Sequence, residues 1–378
     1  DVALSRRNHE FDSRWRYQVN TWESPMGHAL VRMELHYIKD RRSLWGTSFL
    51  FVRKEKDMKG KAWARLLGLL LVPVCLLSLF SGQVPVSPLG LFQGGWSPLE
   101  VNVLWNLRLP RLLLGLGTGA ALGASGTVLQ GIFGNPLADP GILGVTGGAS
   151  LGAVVMLLTG LPQKSYWFLP LGAFAGAALA SFLVGLLGSR SHDRVKLLLS
   201  GVAVSLFCGA LTAGFLSFAQ DAVMRQYFFW TLGNLGVGTW LQVKLLLPVL
   251  VGVLAVLCLW GRQLNVLSLG EEQALSLGMD APFWRKLLLG WLALLMGLGV
   301  CAGGNIGFVG LLVPHCLRLL TGPDHRTLLP LSALGGGLFL VFCDSLGRLL
   351  LPGGEIRVGI ITALFGAPYF LWLLFRKN

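Results

Sequence analysis

Residues 110–131 read PRLLLGLGTGAALGASGTVLQG, and this stretch decides the class of fold. After Arg111 it holds no charged side chain, and a run of about 20 mainly apolar residues is what an α-helix needs to cross a bilayer. A small residue also recurs at every fourth position, at Gly115, Gly119, Gly123, Thr127 and Gly131. Such a row gives one helix face a smooth stripe that a second helix can approach closely. The stretch therefore predicts a membrane-spanning helix in a tightly packed bundle.

The composition extends this prediction to most of the chain. Of 378 residues, 53% are hydrophobic and 13% are charged, whereas a soluble domain has about 25% charged residues. The net charge of +13 would suit a nucleic-acid partner, but no basic cluster interleaved with aromatic residues supports one. In membrane proteins an excess of Lys and Arg usually marks cytoplasmic loops. We predict an all-α polytopic membrane protein that does not bind nucleic acid.

Ten stretches are long and apolar enough to be spans. The eighth is short and can begin in the Gly-rich residues before it. Their approximate bounds are 64–80, 110–131, 141–159, 166–188, 196–218, 242–260, 284–302, 306–320, 329–350 and 358–375.

Basic residues orient the spans, because loops rich in Lys and Arg stay in the cytoplasm. An even number of spans places all the basic loops on one side, so both termini are predicted to be cytoplasmic. The residues concerned are Lys59, Lys61, Arg65, Arg190, Arg194, Lys196, Arg262, Arg285, Lys286, Arg318, Arg326, Arg376 and Lys377.

Residues 1–57 differ from the rest of the chain. They hold 11 of the 31 Lys and Arg residues and 8 of the 18 Asp and Glu residues. They also lack a helical or strand period, and no apolar core of a signal peptide occurs in them. Met58 then opens a short basic stretch before the first span, as polytopic proteins commonly begin. We interpret 1–57 as an extension or a mis-assigned start and 58–378 as the transmembrane domain; a genuine cytosolic appendage is the alternative.

Several charges depart from the orientation rule. Arg108 and Arg111 lie at the extracytoplasmic start of the second span, and Arg348 lies near the outer end of the ninth. Either these arginines snorkel to lipid headgroups or they form a docking surface for an acidic partner. Asp344 precedes Arg348 by four residues, a spacing that allows an intramembrane ion pair. A proton relay is the alternative, but no series of acids or histidines crosses the spans.

The loop between the sixth and seventh spans, residues 267–280, contains a predicted short amphipathic helix. Glu271 and Glu272 stand at its start, where acidic residues are favoured. Ala274, Leu275 and Gly278 are predicted to share one face. The segment is either an ordinary interfacial helix or a coupling helix that sits in a groove of a soluble partner.

The residues give no sign of catalysis, a cofactor or a metal site. The chain lacks the phosphate-binding loop Gly-x-x-x-x-Gly-Lys-Ser/Thr and common hydrolase motifs. All six cysteines lie in apolar stretches, where we interpret them as buried thiols. His315 is a single histidine within a span and is interpreted as hydrogen-bonded to backbone. We therefore predict no enzyme activity; an ATPase, if transport needs one, is a separate polypeptide.

Three segments together resemble the permeases of ABC importers for iron-siderophores, haem and cobalamin. The first runs from Leu107-Arg-Leu-Pro-Arg111 through Asn135-Pro-Leu-Ala-Asp-Pro140 to Gly152. The second is the 267–280 loop. The third begins at Gly307-Phe-Val-Gly-Leu-Leu-Val-Pro-His315 and ends with Val358-Gly-Ile-Ile-Thr-Ala-Leu-Phe-Gly-Ala-Pro368.

This resemblance implies a ten-span permease of the type II ABC importer kind, in a prokaryotic cytoplasmic membrane. It implies a homodimer surrounded by membrane lipid, two cytoplasmic ATP-binding subunits, and a substrate-binding protein on the outer face. In that family, arginines at the outer ends of the second and ninth spans meet acids of the binding protein, and Arg108, Arg111 and Arg348 match those places. Asn135 and Leu137 match residues that narrow the cytoplasmic exit.

The same resemblance assigns the 267–280 loop as the coupling helix and places the fifth and tenth spans along the pathway. One loop departs from the family pattern. Where small hydroxyl residues often form a second constriction, this chain has Ser191-His-Asp-Arg-Val-Lys196, so no gate residue is assigned there.

The expected function is alternating-access import of a metal chelate, with ferric siderophore as the first choice and haem, cobalamin or an oxyanion as others. One rival is a secondary transporter driven by an ion gradient, which predicts paired intramembrane acids; Asp344 is the one candidate. A scaffold or an intramembrane enzyme is a second rival. It is disfavoured because no catalytic constellation occurs and because a scaffold needs no amphipathic helix at 267–280.

Overall fold

The computed structural model describes residues 60–91, 95–189, 194–351 and 353–375. Within these ranges every regular element is a helix and no strand occurs, which confirms the predicted all-α fold. The charged segment 1–57 lies outside the described residues, so its assignment as an extension remains a prediction. Ser191, His192 and Asp193 of the divergent loop lie outside them as well.

Ten apolar helices correspond to the ten predicted spans. Seven are long and apolar enough to cross a membrane, and three are shorter. The ten are α1 (Gly60–Phe80), α2 (Leu109–Phe133), α3 (Val145–Thr159), α4 (Phe168–Ser189), α5 (Arg194–Ser217), α7 (Trp240–Leu259), α10 (Ala281–Gly303), α11 (Val309–Thr321), α12 (His325–Leu349) and α13 (Val358–Phe375).

Short helices also lie between the spans, among them α6 (Asp221–Thr231), α8 (Gly261–Ser268) and α9 (Glu271–Ser276). The sequence pattern predicted a helix at α9 but missed α6 and α8. Both missed helices are too short to show a long apolar period, and α8 follows α7 after a single residue, Trp260.

A helical lead-in precedes α2. Ser97 and Glu100 form a capping box at the start of the short helix Pro98–Asn102, because the Ser97 hydroxyl accepts from the Glu100 N–H and the carboxylate accepts from the Ser97 N–H. A π-helical stretch, Val103–Arg108, then continues directly into α2. Single π-helical turns often mark functional regions, and this one ends at Arg108.

The central helix of the bundle is α2, which is mostly buried, whereas α1 has few buried residues. The glycine stripe of α2 lies against α12. A Cβ atom added at Gly119 would lie 2.2 Å from the carbonyl oxygen of Gly336, and one at Gly123 would lie 2.1 Å from that of Ser332. Backbones this close leave no room for a side chain, so the interpretation of the stripe as a packing surface is confirmed.

A second glycine contact joins α3 to α4. Gly148 faces Gly176, and Gly152 faces Gly172; in each case an added Cβ atom would come within 2.3 Å of a backbone oxygen. The glycine rows of α3 and α4 therefore pack against each other.

Candidate functional site

A buried ion cluster lies at the C-terminal end of α12, with Asp344 at its centre. Arg111 from α2 donates to both carboxylate oxygens, at 2.8 Å from Nη2 to Oδ1 and 2.9 Å from Nε to Oδ2. The Nε atom of Arg348 lies 3.3 Å from Oδ2, so the pair suggested by the four-residue spacing is present. Arg111 also contacts Glu355, with 2.9 Å between Nη1 and Oε2. Two cations thus balance two anions, which reduces the cost of ionisable groups within a membrane.

Arg348 and Arg108 bind the end of α1. Arg348 Nη1 donates to the carbonyl oxygens of Ser78 and Ser81, at 3.0 and 2.9 Å. Arg108 donates to the carbonyl oxygen of Leu79, at 2.7 Å, and to that of Val84. The last carbonyls of a helix have no partner within the helix, and cationic side chains satisfy them favourably.

This arrangement changes the interpretation of the outer arginines. Arg108 and Arg348 are 6% and 5% exposed, so their side chains turn into the protein and do not snorkel to headgroups. Arg111 is engaged by two acids. All three are therefore structural in this conformation. A docking role for them stays a prediction, and it now requires that a partner reach groups that already have partners.

At the other end of α2, Asn135 and Leu137 lie in a tight turn. Gly134 ends the helix with φ of 62°, a left-handed conformation that glycine adopts without strain. The Asn135 side-chain oxygen then accepts from the Leu137 N–H at 2.9 Å, an Asx turn. Asn135 is exposed and Leu137 is half-buried. The turn gives both residues a fixed position at the end of the bundle opposite the ion cluster.

Leu137 lines a small apolar cleft with residues of α11 and α13, including His315 and Tyr369. The two rings are 6.2 Å apart. Phe308, at the start of α11, has φ of 68° and is the one non-glycine residue with positive φ among those described. Its ring lies against Gly366, where an added Cβ atom would come within 2.4 Å. Phe308 thus combines a strained backbone conformation with a ring that packs on a glycine. Backbone strain of this kind is often found in functional regions.

The α9 segment is fixed to the bundle on one side and exposed on the other. Glu271 forms an ion pair with Arg285 of α10, and Ala274 is fully buried. The chain leaves α9 through a Schellman turn, in which the Met279 N–H donates to the Ala274 carbonyl oxygen at 2.9 Å. Gly278 adopts φ of +77° in this turn.

The predicted face of α9 was wrong in part. Leu275 is 58% exposed and so points away from the buried Ala274. Gly278 lies beyond the last helical residue, Ser276, because the helix is shorter than the predicted segment. Leu275, Leu277 and Leu269 instead form an exposed apolar patch, with Glu272 exposed beside it.

A polar anchor that sequence reasoning missed joins α8 to the start of α12. The Asn265 amide donates to Asp324 at 2.6 Å and its oxygen accepts from the His325 N–H at 2.8 Å. Desolvation alone would raise the pKa of Asp324, but hydrogen bonds from Arg326 and Asn265 lower that pKa to about 2. The Asp-His-Arg motif that contains these residues is a visible signal, but its partner lies about 60 positions away in sequence.

A cavity of about 450 Å³ lies between α3, α5 and α6. Its lining is hydroxyl, amide and small groups and one leucine, without a charged side chain among the lining residues. Gly209 and Ala213, two small residues of α5, contribute to it. The lining residues are Thr146, Gly147, Ser150, Ser205, Gly209, Thr212, Ala213, Leu216, Tyr227 and Asn305. Among the described residues, no three His, Cys, Asp or Glu side chains gather as metal ligands would.

A bundle of ten apolar helices, with a charge-balanced cluster at one end and an exposed apolar segment at the other, defines a polytopic membrane protein of the transporter class. The chain belongs to the FecCD transport family, which it matches over residues 69–376. This result confirms the family resemblance drawn from the three sequence segments.

Relatives match over nearly their whole length. The vitamin B12 import system permease protein BtuC of Escherichia coli O139:H28 is 39% identical over 330 residues, which cover 87% of this chain and 99% of that protein. The BtuC protein of Escherichia coli O8 gives the same values.

Two solved structures are similar. A chain of a metal-chelate type ABC transporter in an inward-facing conformation has a TM-score of 0.73 and 33% identity, covering 82% of this chain and 97% of that one. PsaBC from Streptococcus pneumoniae, in complex with a Fab, has a TM-score of 0.51 at 19% identity, a likeness of fold alone.

Proposed function

We propose that this chain is the membrane-spanning permease subunit of an ATP-driven importer for a metal chelate. The family match, the relatives named as vitamin B12 permeases and the structural likeness to a metal-chelate type ABC transporter support it. The chain itself is not an enzyme in this proposal: ATP is hydrolysed by two separate cytoplasmic subunits, and two copies of the permease form the pathway between them.

The observation that carries the proposal is the uncharged cavity beside α5. A bulky chelate needs a wide path with weak contacts, whereas an ion-coupled transporter needs a tight site with charged groups near the membrane centre. Hydroxyl and amide groups such as Ser205, Thr212 and Asn305 offer exchangeable hydrogen bonds to a polar cargo without holding it through charge. In the homodimer, the α5 faces of both copies line the path.

The α9 segment is the proposed coupling element. Its exposed leucines, Leu269, Leu275 and Leu277, present an apolar contact to a soluble partner. The Glu271–Arg285 pair and the buried Ala274 connect that contact to α10. A displacement imposed on the patch by ATP binding is therefore passed to a membrane-spanning helix, and the two permease copies alternate between outward- and inward-open states.

Gates and docking complete the proposal. Asn135 and Leu137 narrow the cytoplasmic exit, where Leu137 contacts the ends of α11 and α13.

On the outer face a substrate-binding protein docks over the ion cluster. Glu355 is the most exposed member of that cluster, at 33%, so an acidic residue of the binding protein reaches Arg111 by competing with Glu355. Arg108 and Arg348 support this surface from below.

Cobalamin is the first cargo to test and a ferric siderophore the second. The sequence alone placed the siderophore first. The order changes because the relatives at 39% identity are named for vitamin B12 import. Haem and oxyanions follow.

The experiment is co-purification of the tagged chain from its native host after gentle solubilisation. We expect a stoichiometric ATP-binding subunit that is lost from the Leu275→Ser variant. Leu350→Ser is the matched control, because Leu350 is equally exposed, at 59%, but lies at the opposite end of the bundle. An intact, folded chain without a nucleotide-binding partner would contradict the proposal and favour the ion-driven transporter.

A second assay separates the cargoes. Proteoliposomes that contain the purified complex and external binding protein should accumulate labelled cobalamin or ferric siderophore when ATP is enclosed. Uptake that follows an ion gradient and ignores ATP would support the secondary transporter instead.

A further inference from the structure

A deep apolar groove on the outside of the bundle lies apart from the features used above. It has a volume of about 540 Å³, within the range of about 300–1,000 Å³ that is usual for ligand sites. The walls are α4 and α10, and Leu143 and Leu197 close one end. The groove is distinct from the polar cavity beside α5, with which it shares no lining residue.

The helices α4 and α10 pack against each other along part of their length, and the groove lies where both present a glycine to open space. Near the extracytoplasmic end, Phe174 packs on Gly297, where an added Cβ atom would lie 2.9 Å from the ring. Toward the cytoplasmic end the facing positions are Gly185 and Gly290, and a Cβ atom added at either would meet nothing within 4 Å. From Phe174 to Leu186 the wall is about 18 Å long, at 1.5 Å per residue.

The chemistry of the lining changes along this length. Most of it is aliphatic or aromatic, and the polar side chains that line it are Ser181, Arg285 and Lys286. The two basic residues stand together at the end predicted to be cytoplasmic. Arg285 is paired with Glu271. Lys286 is exposed and forms no ion pair within the described ranges, so its charge is available to a ligand.

We propose that this groove binds one anionic phospholipid of the cytoplasmic leaflet. One acyl chain lies between α4 and α10, over Gly185 and Gly290, and the phosphate group lies against Lys286. A long apolar slot that faces lipid and ends in a free cation at headgroup depth matches such a molecule in shape and in charge. A zwitterionic lipid fits the slot but gains less from the lysine.

The experiment is native mass spectrometry of the purified full-length chain after exchange into detergent with equal amounts of phosphatidylglycerol and phosphatidylcholine. We expect wild type to retain one phosphatidylglycerol per chain in preference to phosphatidylcholine. Lys286→Gln should lower that preference about fivefold, the effect of one basic residue near an anionic surface. Gly290→Leu should abolish retention of either lipid, because the added side chain fills the slot.

Matched controls separate the groove from general effects. Lys244→Gln removes an exposed lysine near the opposite end of the bundle, and Gly252→Leu adds the same side chain at another open helical position. Both should retain lipid as wild type does. Thermal unfolding establishes that Gly290→Leu is folded; if it is not, Lys286→Gln decides the question alone.

Three results would overturn the proposal. Equal retention of the two lipids by wild type would remove the role of the lysine. Unchanged retention in Lys286→Gln and Gly290→Leu would place the lipid elsewhere. A dimer that disappears in Gly290→Leu would show that a second copy of the chain occupies the groove. The measurement involves no transport, so its outcome is independent of the proposed function.

Discussion

Replacement of Asp344 by Asn tests the ion cluster most directly. The substitution keeps the side-chain volume and removes the charge that Arg111 and Arg348 share, at 2.8 and 3.3 Å. The cluster then changes from two cations and two anions to two cations and one anion. Because Asp344 is 4% exposed, water does not replace the lost partner.

The expected cost follows from burial. Removing one partner of a buried pair typically costs about 3–5 kcal/mol, since a buried charge is left without compensation. Glu355→Gln is the control, because it removes the other anion of the same cluster at a position that is 33% exposed. For an exposed pair the expected cost is about 0–1 kcal/mol.

The free energy of unfolding is measured by denaturant titration in micelles, followed by circular dichroism and by a thiol-reactive dye. The buried Cys343, next to Asp344, and the buried Cys301 report opening of the core. The double variant Arg111→Gln/Asp344→Asn restores charge balance and should cost less than the sum of its single changes, with a coupling of about 0.5–3 kcal/mol.

Two outcomes would refute this reasoning. Equal destabilisation by Asp344→Asn and Glu355→Gln, to within experimental error, would show that the cluster is not a buried, interdependent unit. Alternatively, the variant could be as stable as wild type but inactive in uptake, which would make Asp344 a working proton carrier and would support the ion-driven rival.

Three further outcomes are expected, each with its own measurement. Gly119→Ala should lower the free energy of unfolding by about 1–3 kcal/mol, because the methyl group would meet a glycine carbonyl of α12 at 2.2 Å, whereas Gly214→Ala, at an open position, should be neutral or slightly stabilising. The pKa of Asp324 is about 2 when folded and about 3.9 when unfolded. Its contribution to the free energy of unfolding is therefore complete above pH ~4 and is lost as the pH falls toward 2. Acid titration of the Asp324→Asn variant should lack that loss. Glu271→Gln removes a charged hydrogen bond to α10, worth about 1.5–3 kcal/mol, and should reduce co-purification of the ATP-binding subunit several-fold, while Asp221→Asn, an exposed acid on α6, should not.

Hydropathy and small-residue spacing were enough to predict the ten spans. Both signals are local: a span needs a minimum length of apolar residues, and a packing stripe needs small residues four positions apart. The partner of each stripe could not be predicted in this way. Gly119 meets Gly336 more than 200 positions later in the sequence, and several other helices carry small residues that would have been equally suitable.

The ion cluster shows the same limit. Asp344 and Arg348 are four residues apart and were predicted to pair. Their connection to Arg111 and Glu355 depends on how α2, α12 and the following loop meet in space. The carbonyl acceptors Ser78 and Ser81 carry no sequence signal at all, because every residue has a carbonyl group. The sequence therefore showed no sign that the side chains of Arg108 and Arg111 have hydrogen-bond and ion-pair partners within the protein, or that Arg348 has partners besides Asp344.

The α9 segment was predicted in place but not in detail. Its acidic start and its glycine gave the position, yet the helix ends two residues before Gly278. A turn of a helix this short is governed by its tertiary anchor, here Arg285 of α10, and the sequence around residue 271 does not contain that anchor.

The attachment of α1 has a consequence for the biogenesis of the protein. This helix emerges from the ribosome first among the spans, yet a main support of its outer end, Arg348, belongs to the second-to-last span and is synthesised about 270 residues later. Few residues of α1 are buried, and during that interval Arg108 alone of the two arginines is present to hold its end. The attachment of the first helix is therefore completed late, and chains truncated before residue 348 should present it to membrane proteases and to helix-binding insertion factors more than the full chain does.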